Sequence, residues 1–176
     1  KKITQSRAKK ELLQILNELK SIKSNNKILK NLFYLMKKYN IESSIPISLV
    51  EGVKEDLKKV NFKNTNDLII YSYKVAGTVG LMMCKIMGVK QKKLLLKGIQ
   101  LGIAMQITNI ARDIEEDLLR ERLYFPQNLL PFNFTSYKKI IATRSLKIKI
   151  SKNIYKILEM SDTFYQNAWN GIIELP

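Results

Sequence analysis

The sequence predicts an all-α fold, on three observations. Apolar residues recur at helical spacing through long stretches of the chain. Only 7 Gly and 4 Pro interrupt those stretches, too few for a turn-rich β-sandwich. The 176 residues are 45% hydrophobic and 26% charged, the mix of one globular domain long enough to bury a core.

The elements follow in order. Residues about 5–22 form an amphipathic helix, with Leu12, Leu13, Leu16 and Leu19 on one face and lysines on the other. Ser24-Asn25-Asn26 breaks it, and a second helix over about 27–39 carries Ile28, Leu32, Leu35 and Met36. Pro46 opens a third, about 46–59, through Leu49, Val50, Val53 and Leu57. Asn64-Thr65-Asn66-Asp67 offers N-caps for an apolar helix over about 67–87 that closes near Gly88. A fifth helix spans about 91–122, Pro126–Ser136 is the one clear loop, and a last helix runs from about Ser145 to about Ile173.

Composition removes several chemistries. With no histidine, Ser-His-Asp and Cys-His nucleophiles, His-ligated zinc or haem and imidazole acid–base catalysis are excluded. One cysteine, Cys84, leaves no intramolecular disulfide framework and fits a reducing compartment, so the expected location is cytoplasmic. The formal net charge of +16 points to an anionic partner, or to compositional drift in a chain rich in Lys, Asn and Ile. The arginines are more telling: Arg112, Arg120 and Arg122 crowd into one short segment. No uncharged apolar run reaches the ~18 residues that argue for a membrane span. The start lacks a signal pattern, and both ends read as cut.

Chemistry concentrates in one window. Five of the 15 acidic residues lie there: Asp113, Glu115, Glu116, Asp117 and Glu121. On a helix at roughly 100° per residue, Gln106, Asn109, Asp113 and Asp117 fall within roughly 80° of one another, with Gly98, Gly102 and Arg120 on or beside that stripe. Two carboxylates at i and i+4, with an amide one turn earlier, make a face of hard oxygen ligands suited to Mg²⁺. Arg112, Arg120 and Arg122 supply guanidinium forks for a diphosphate. A solvated helix end laced with pairs such as Glu116–Arg120 accounts equally for Glu115 and Glu121. It leaves unexplained why Gln106 and Asn109 carry the polar stripe into an apolar stretch, where an amide needs partners. The helix at 67–87 holds a second oddity, Tyr71-Ser72-Tyr73-Lys74-Val75-Ala76-Gly77-Thr78-Val79-Gly80. Two interior glycines cost about 1 kcal/mol each relative to alanine, for which close helix packing or room for a ligand compensates.

Leu101-Gly102-x-x-x-Gln106-x-x-Asn109-Ile110-x-Arg112-Asp113-Ile114-x-x-Asp117, followed by Arg122-x-Tyr124-x-Pro126, resembles the second aspartate-rich signature of squalene/phytoene synthases. Tyr71–Gly80, continuing through Met83 to Val89, resembles their other signature helix. The order and approximate separation agree, and the flavour of both is most like bacterial phytoene synthases. Weaker similarity extends to Leu49–Leu57 and to Ala168–Pro176.

This resemblance implies an isoprenoid-synthase-type helical bundle around a central apolar cavity, with two prenyl diphosphates inside and Mg²⁺ (or Mn²⁺) at its mouth. Two molecules of geranylgeranyl diphosphate would condense head to head, through a cyclopropyl diphosphate, to phytoene in carotenoid biosynthesis, with no NADPH required. Position by position, Asn109, Asp113 and Asp117 would contact metal and diphosphate. Gln106, Arg112, Arg122, Tyr124 and Tyr71 would support catalysis and substrate binding. Val75, Val79, Gly80, Met83, Gly98, Leu101 and Met105 would line the prenyl channel, the glycines leaving room for isoprenoid.

The family's first aspartate-rich motif would precede the segment matching Lys1–Lys20. Glu51-x-x-x-Glu55 has its spacing but not its place. The expectation is therefore a single partial domain over 1–176, internal to a protein of roughly 300 residues, without the first motif and the C-terminal helices and with half of the metal site. Presqualene/squalene or dehydrosqualene synthesis is the alternative within the family, and an inactive helical assembly factor the alternative outside catalysis. A nucleic-acid partner is not expected, because the arginines gather beside carboxylates instead of spreading along a face. Peripheral contact with an anionic membrane fits an apolar product and a basic surface.

Overall fold

The computed structural model describes residues 4–58, 60, 62–129 and 144–175, and every regular element among them is helical. Helices α1 (Gln5–Ser21) and α2 (Lys27–Lys38) match the sequence expectation at their starts, and the caps give the reason, whereas α3 (Ser44–Glu55) begins two residues before Pro46. Asn26 accepts from the Ile28 N–H at 2.8 Å. For α4 (Thr65–Ser72), Asn64 accepts from the Asp67 N–H at 3.1 Å, while the Asp67 carboxylate accepts from Asn64 and Lys63, a complete capping box.

The expected helix over 67–87 is one rod with a local widening. After α4, Tyr73–Gly77 form a π turn, marked by the Thr78 N–H donating to the Tyr73 carbonyl, before α5 (Thr78–Ile86). Gly88, at φ +84°, ends it, and the Val89 N–H reaches back to the Cys84 carbonyl at 3.0 Å, as a left-handed glycine C-cap does. Gly52 of α3 lies against the π turn: a Cβ there would be 2.8 Å from Lys74 Cβ and Val75 Cγ1.

Helix α6 (Lys92–Arg112) is central. It packs against α4, the π turn, α5 and α8 (Arg144–Ile172), and buries Leu94, Gly102, Ile103, Ala104, Ile107, Ile110 and Ala111. At 21 residues it is long and apolar enough by composition to cross a membrane, which the sequence reading missed by demanding an uncharged run. Its neighbours identify it instead as a core helix. Leu118, Leu123, Tyr124 and Phe125 complete the main core with Leu68, Ile150 and Ile157.

Two expectations need correction. The fifth helix does not run unbroken to 122: α6 stops at Arg112, Asp113 turns out at φ −98°, ψ 13°, and α7 covers only Ile114–Leu119. The chain must then bend so that Leu123–Phe125 re-enter the core, and Glu121 takes a left-handed φ of +58°. Helix α3 likewise ends at Glu55, not 59. Of the expected loop, Pro126 is buried and Gln127–Leu129 form a 3₁₀ turn tied to the Phe62 carbonyl by the Gln127 N–H at 2.8 Å; residues 130–136 lie outside the described residues.

A buried hydroxyl cluster pins α8 to α6 beside the polar stripe. Thr108 Oγ1 and Ser161 Oγ lie 2.9 Å apart, and both donate to the Ala104 carbonyl at 2.9 Å. Ser161→Ala is expected to cost about 1 kcal/mol, read as a lower urea midpoint with unchanged slope.

Candidate active site

Four segments converge on one pocket of about 240 Å³, lined by Tyr71, Gln106, Asn109, Ile110, Arg112, Asp113, Asp117 and Tyr124. Although α6 breaks at Asp113, two i→i−4 bonds span the break: the Asp113 N–H donates to the Asn109 carbonyl and the Asp117 N–H to the Asp113 carbonyl, each at 2.9 Å. That continuity keeps amide, acid and acid one turn apart on one side, as the spacing predicts. Tyr71 arrives from α4 and Tyr124 from the segment after α7, and both are buried.

The two carboxylates differ in state. Asp113 takes a bidentate contact from Arg112, Nε to Oδ1 and Nη2 to Oδ2 at 2.7 Å each, which holds its carboxyl below the ordinary value. Asp117 is shifted the other way, first by burial and then by the negative charge of Asp113, while Arg122 and Arg120 oppose the shift. Arg120 itself pairs with Glu116 at 2.5 Å, the surface pair expected at a solvated helix end. Arg122 does not line the pocket, but its charge also favours ionised Asp56.

Asp56 is the residue that sequence reasoning passed over. Its Oδ1 accepts from the Tyr71 hydroxyl at 2.8 Å and from the Tyr124 hydroxyl at 3.0 Å. Burial raises its carboxyl above the ordinary value, and the two tyrosines and Arg122 oppose that. The Tyr124 phenol is pushed up to about 12, chiefly by burial and then by Asp56, and Tyr71 is raised further still. The rings of Phe62, Tyr71 and Tyr124 stack at tilted angles with centroids 5.2–6.1 Å apart. The only signal in the sequence was the weak similarity around Leu49–Leu57.

The residues expected to line a prenyl channel are placed differently. Val79, Met83 and Met105 are 40%, 52% and 53% exposed, and Val75 and Leu101 are half-buried. Helices α5 and α6 run antiparallel, Gly80 against Gly98 and Ala76 against Gly102. At roughly 100° per residue, Val79 and Met83 share one side of that seam with Leu101 and Met105. They form an open apolar face rather than an enclosed tunnel. The glycines do not leave room for isoprenoid on the seam side. A Cβ on Gly80 would collide with the Gly98 carbonyl, and one on Gly98 with the Cys84 sulfur, so their smallness serves close helix packing.

A bundle built around one long helix, with an oxygen-rich pocket at that helix's end, is the isoprenoid-synthase type of all-α fold. A dehydrosqualene synthase superposes with a TM-score of 0.77 at 22% identity, over 93% of this chain and 59% of that one. The squalene synthase HpnC from Alicyclobacillus acidocaldarius gives 0.78 at 17%, over 98% and 71%. The chain belongs to the squalene/phytoene synthase family, whose sequence model matches residues 3–176. A chloroplastic phytoene synthase of Narcissus pseudonarcissus is 37% identical over 135 residues, 73% of this chain and 32% of that protein. A 15-cis-phytoene synthase of a Paracoccus species is 31% identical over 140 residues, 80% and 45% of the two chains. The chain therefore spans about a third to somewhat under half of these relatives.

Proposed function

We propose that the protein to which this chain belongs joins two prenyl diphosphates head to head, with geranylgeranyl diphosphate as substrate and phytoene as product. The observation that carries this reading is the convergence of Asn109, Asp113 and Asp117 on one pocket beside an exposed apolar face. At about 240 Å³ the pocket is too small for a prenyl chain but suits a compact charged head group. The chains then lie along Val79, Met83, Leu101 and Met105. The names of the sequence relatives support the same choice of product.

A divalent cation fits the donor set. Among the described residues no three His, Cys, Asp or Glu gather as a metal cluster, so the amide oxygen of Asn109 must complete the set of Asp113 and Asp117. Burial and then the charge of Asp113 raise the Asp117 carboxyl, and a cation offsets both. Mg²⁺ or Mn²⁺, held by these three oxygens, would neutralise charge on a departing diphosphate. Arg112, 68% exposed at the pocket rim, takes diphosphate oxygens, while Gln106 lines the same pocket one turn before Asn109. The aromatic rings of Tyr71 and Tyr124 close the pocket from the core side and exclude water, which protects an allylic cation from capture. An apolar product and a basic surface suit peripheral contact with an anionic membrane in a reducing compartment, testable by co-sedimentation with liposomes.

The test is product analysis of the full-length protein with Mg²⁺ and geranylgeranyl or farnesyl diphosphate. Phytoene from the former supports the reading. Squalene-type product from farnesyl diphosphate alone overturns the substrate assignment, and no condensation product from either overturns the reaction.

A further inference from the structure

Asp56 stands apart from the acidic stripe and is accounted for neither by metal binding nor by a surface ion pair. It sits just past the end of α3, where the helix gives way to tight turns through Lys58, and it is half-buried. A single carboxylate oxygen receives two phenol hydroxyls, from elements that the chain separates by 15 and 68 positions. A phenol has one proton. With that proton committed to Asp56, each tyrosine can make any further hydrogen bond only as an acceptor, and both tyrosine side chains line the pocket.

We propose that Asp56 is a positioning residue that locks Tyr71 and Tyr124 as hydrogen-bond acceptors toward the pocket, so that these phenols present electron-rich oxygens to cationic or N–H and O–H groups and donate nothing to diphosphate. This inference rests on the head-group reading of the pocket and assigns its polarity. Asp113 with Arg112 handles anion and cation charge, whereas the two tyrosines offer the pocket only lone pairs and ring faces. Such a pair stabilises positive charge on carbon close by and does not compete with the metal–carboxylate stripe for phosphate oxygens. The tilted triple stack with Phe62 fixes both rings, and each hydroxyl is held on Asp56 Oδ1.

The experiment uses the full-length protein labelled with 3-fluorotyrosine, with Tyr71→Phe and Tyr124→Phe assigning the two signals. In Asp56→Asn both signals shift and the other tyrosines stay. In turnover, Asp56→Asn lowers kcat about 10- to 100-fold with KM for prenyl diphosphate changed less than about threefold, and Asp56→Glu recovers part of the loss. Tyr71→Phe/Tyr124→Phe, which strips Asp56 of both donors without touching it, gives a loss of the same size. Adding Asp56→Asn to that pair costs nothing more. Unmoved fluorine signals in Asp56→Asn overturn the proposal whatever the turnover, as does wild-type kcat in the Tyr71→Phe/Tyr124→Phe enzyme or a KM increase that carries the whole effect. Wild-type protein that turns over no prenyl diphosphate overturns the functional reading instead, and the fluorine signals, which need no turnover, tell the two failures apart.

Discussion

Asp117→Asn in the full-length protein is expected to lower turnover about 10²- to 10³-fold while its metal-free thermal midpoint at neutral pH equals or exceeds that of the wild type. The two effects share one cause. Burial and the charge of Asp113 make ionised Asp117 less favourable in the folded chain than in the unfolded one, so its carboxyl is raised. A raised carboxyl contributes stability that is complete below the unfolded value of about 3.9 and is lost as pH rises through the folded value. The wild type at neutral pH therefore carries a penalty that asparagine does not, and the advantage of the mutant disappears below about pH 4. Asp113→Asn should lose activity similarly without this gain, because Arg112 already stabilises its ionised form. A stability cost paired with a functional need is what an active-site carboxylate shows and a solvated helix end does not. Thermal scans at two pH values, beside a product assay, check both halves.

Gly102→Ala is the second large effect, expected to destabilise by about 1–3 kcal/mol or more. Its Cβ would lie 2.7 Å from the Ala76 carbonyl carbon and 2.9 Å from Gly77 Cα, backbone atoms with no rotamer to escape into. The seam between the π turn and α6 must open, and Asn109, two turns further along α6, moves with it. Gly77→Ala is the milder comparison. The three atoms nearest its Cβ belong to side chains, Tyr73 Cδ2 at 3.0 Å, Ile99 Cγ2 at 3.2 Å and Ile103 Cγ1 at 3.4 Å, which can give by a few tenths of an ångström, and alanine in a helix recovers about 0.5–1 kcal/mol relative to glycine. Urea unfolding should place Gly102→Ala clearly below Gly77→Ala; equal midpoints would mean that the seam is loose.

These comparisons mark what the sequence could and could not reveal. The Asn64–Asp67 capping box, the Gly88 stop and the extent of α8 were readable because each rests on contacts within a few residues. The stripe of Asn109, Asp113 and Asp117 was readable because helical spacing survives the break at Asp113. The break itself was not, since it is imposed by Leu123–Phe125 folding back into a core made by distant elements. Asp56 was hidden for the same reason: its partners lie far along the chain, and nothing in its sequence neighbourhood sets it apart from a solvated acid at a helix end. The glycines of the signature helix were legible as unusual. Only the pairing of Gly80 with Gly98 and Gly102 with Ala76 decides between packing and ligand space on that side.

The central claim is that an amide and two acids spaced one turn apart hold a divalent cation against a diphosphate. Its most direct measurement is Mn²⁺ binding to the full-length protein, followed by the electron paramagnetic resonance of free Mn²⁺, with and without a non-hydrolysable prenyl thiodiphosphate. The account predicts that the analogue tightens Mn²⁺ binding by about tenfold or more, equivalent to roughly 1.4 kcal/mol of coupling, and that Asp113→Asn and Asp117→Asn each remove this coupling. Undiminished coupling in both variants would contradict it.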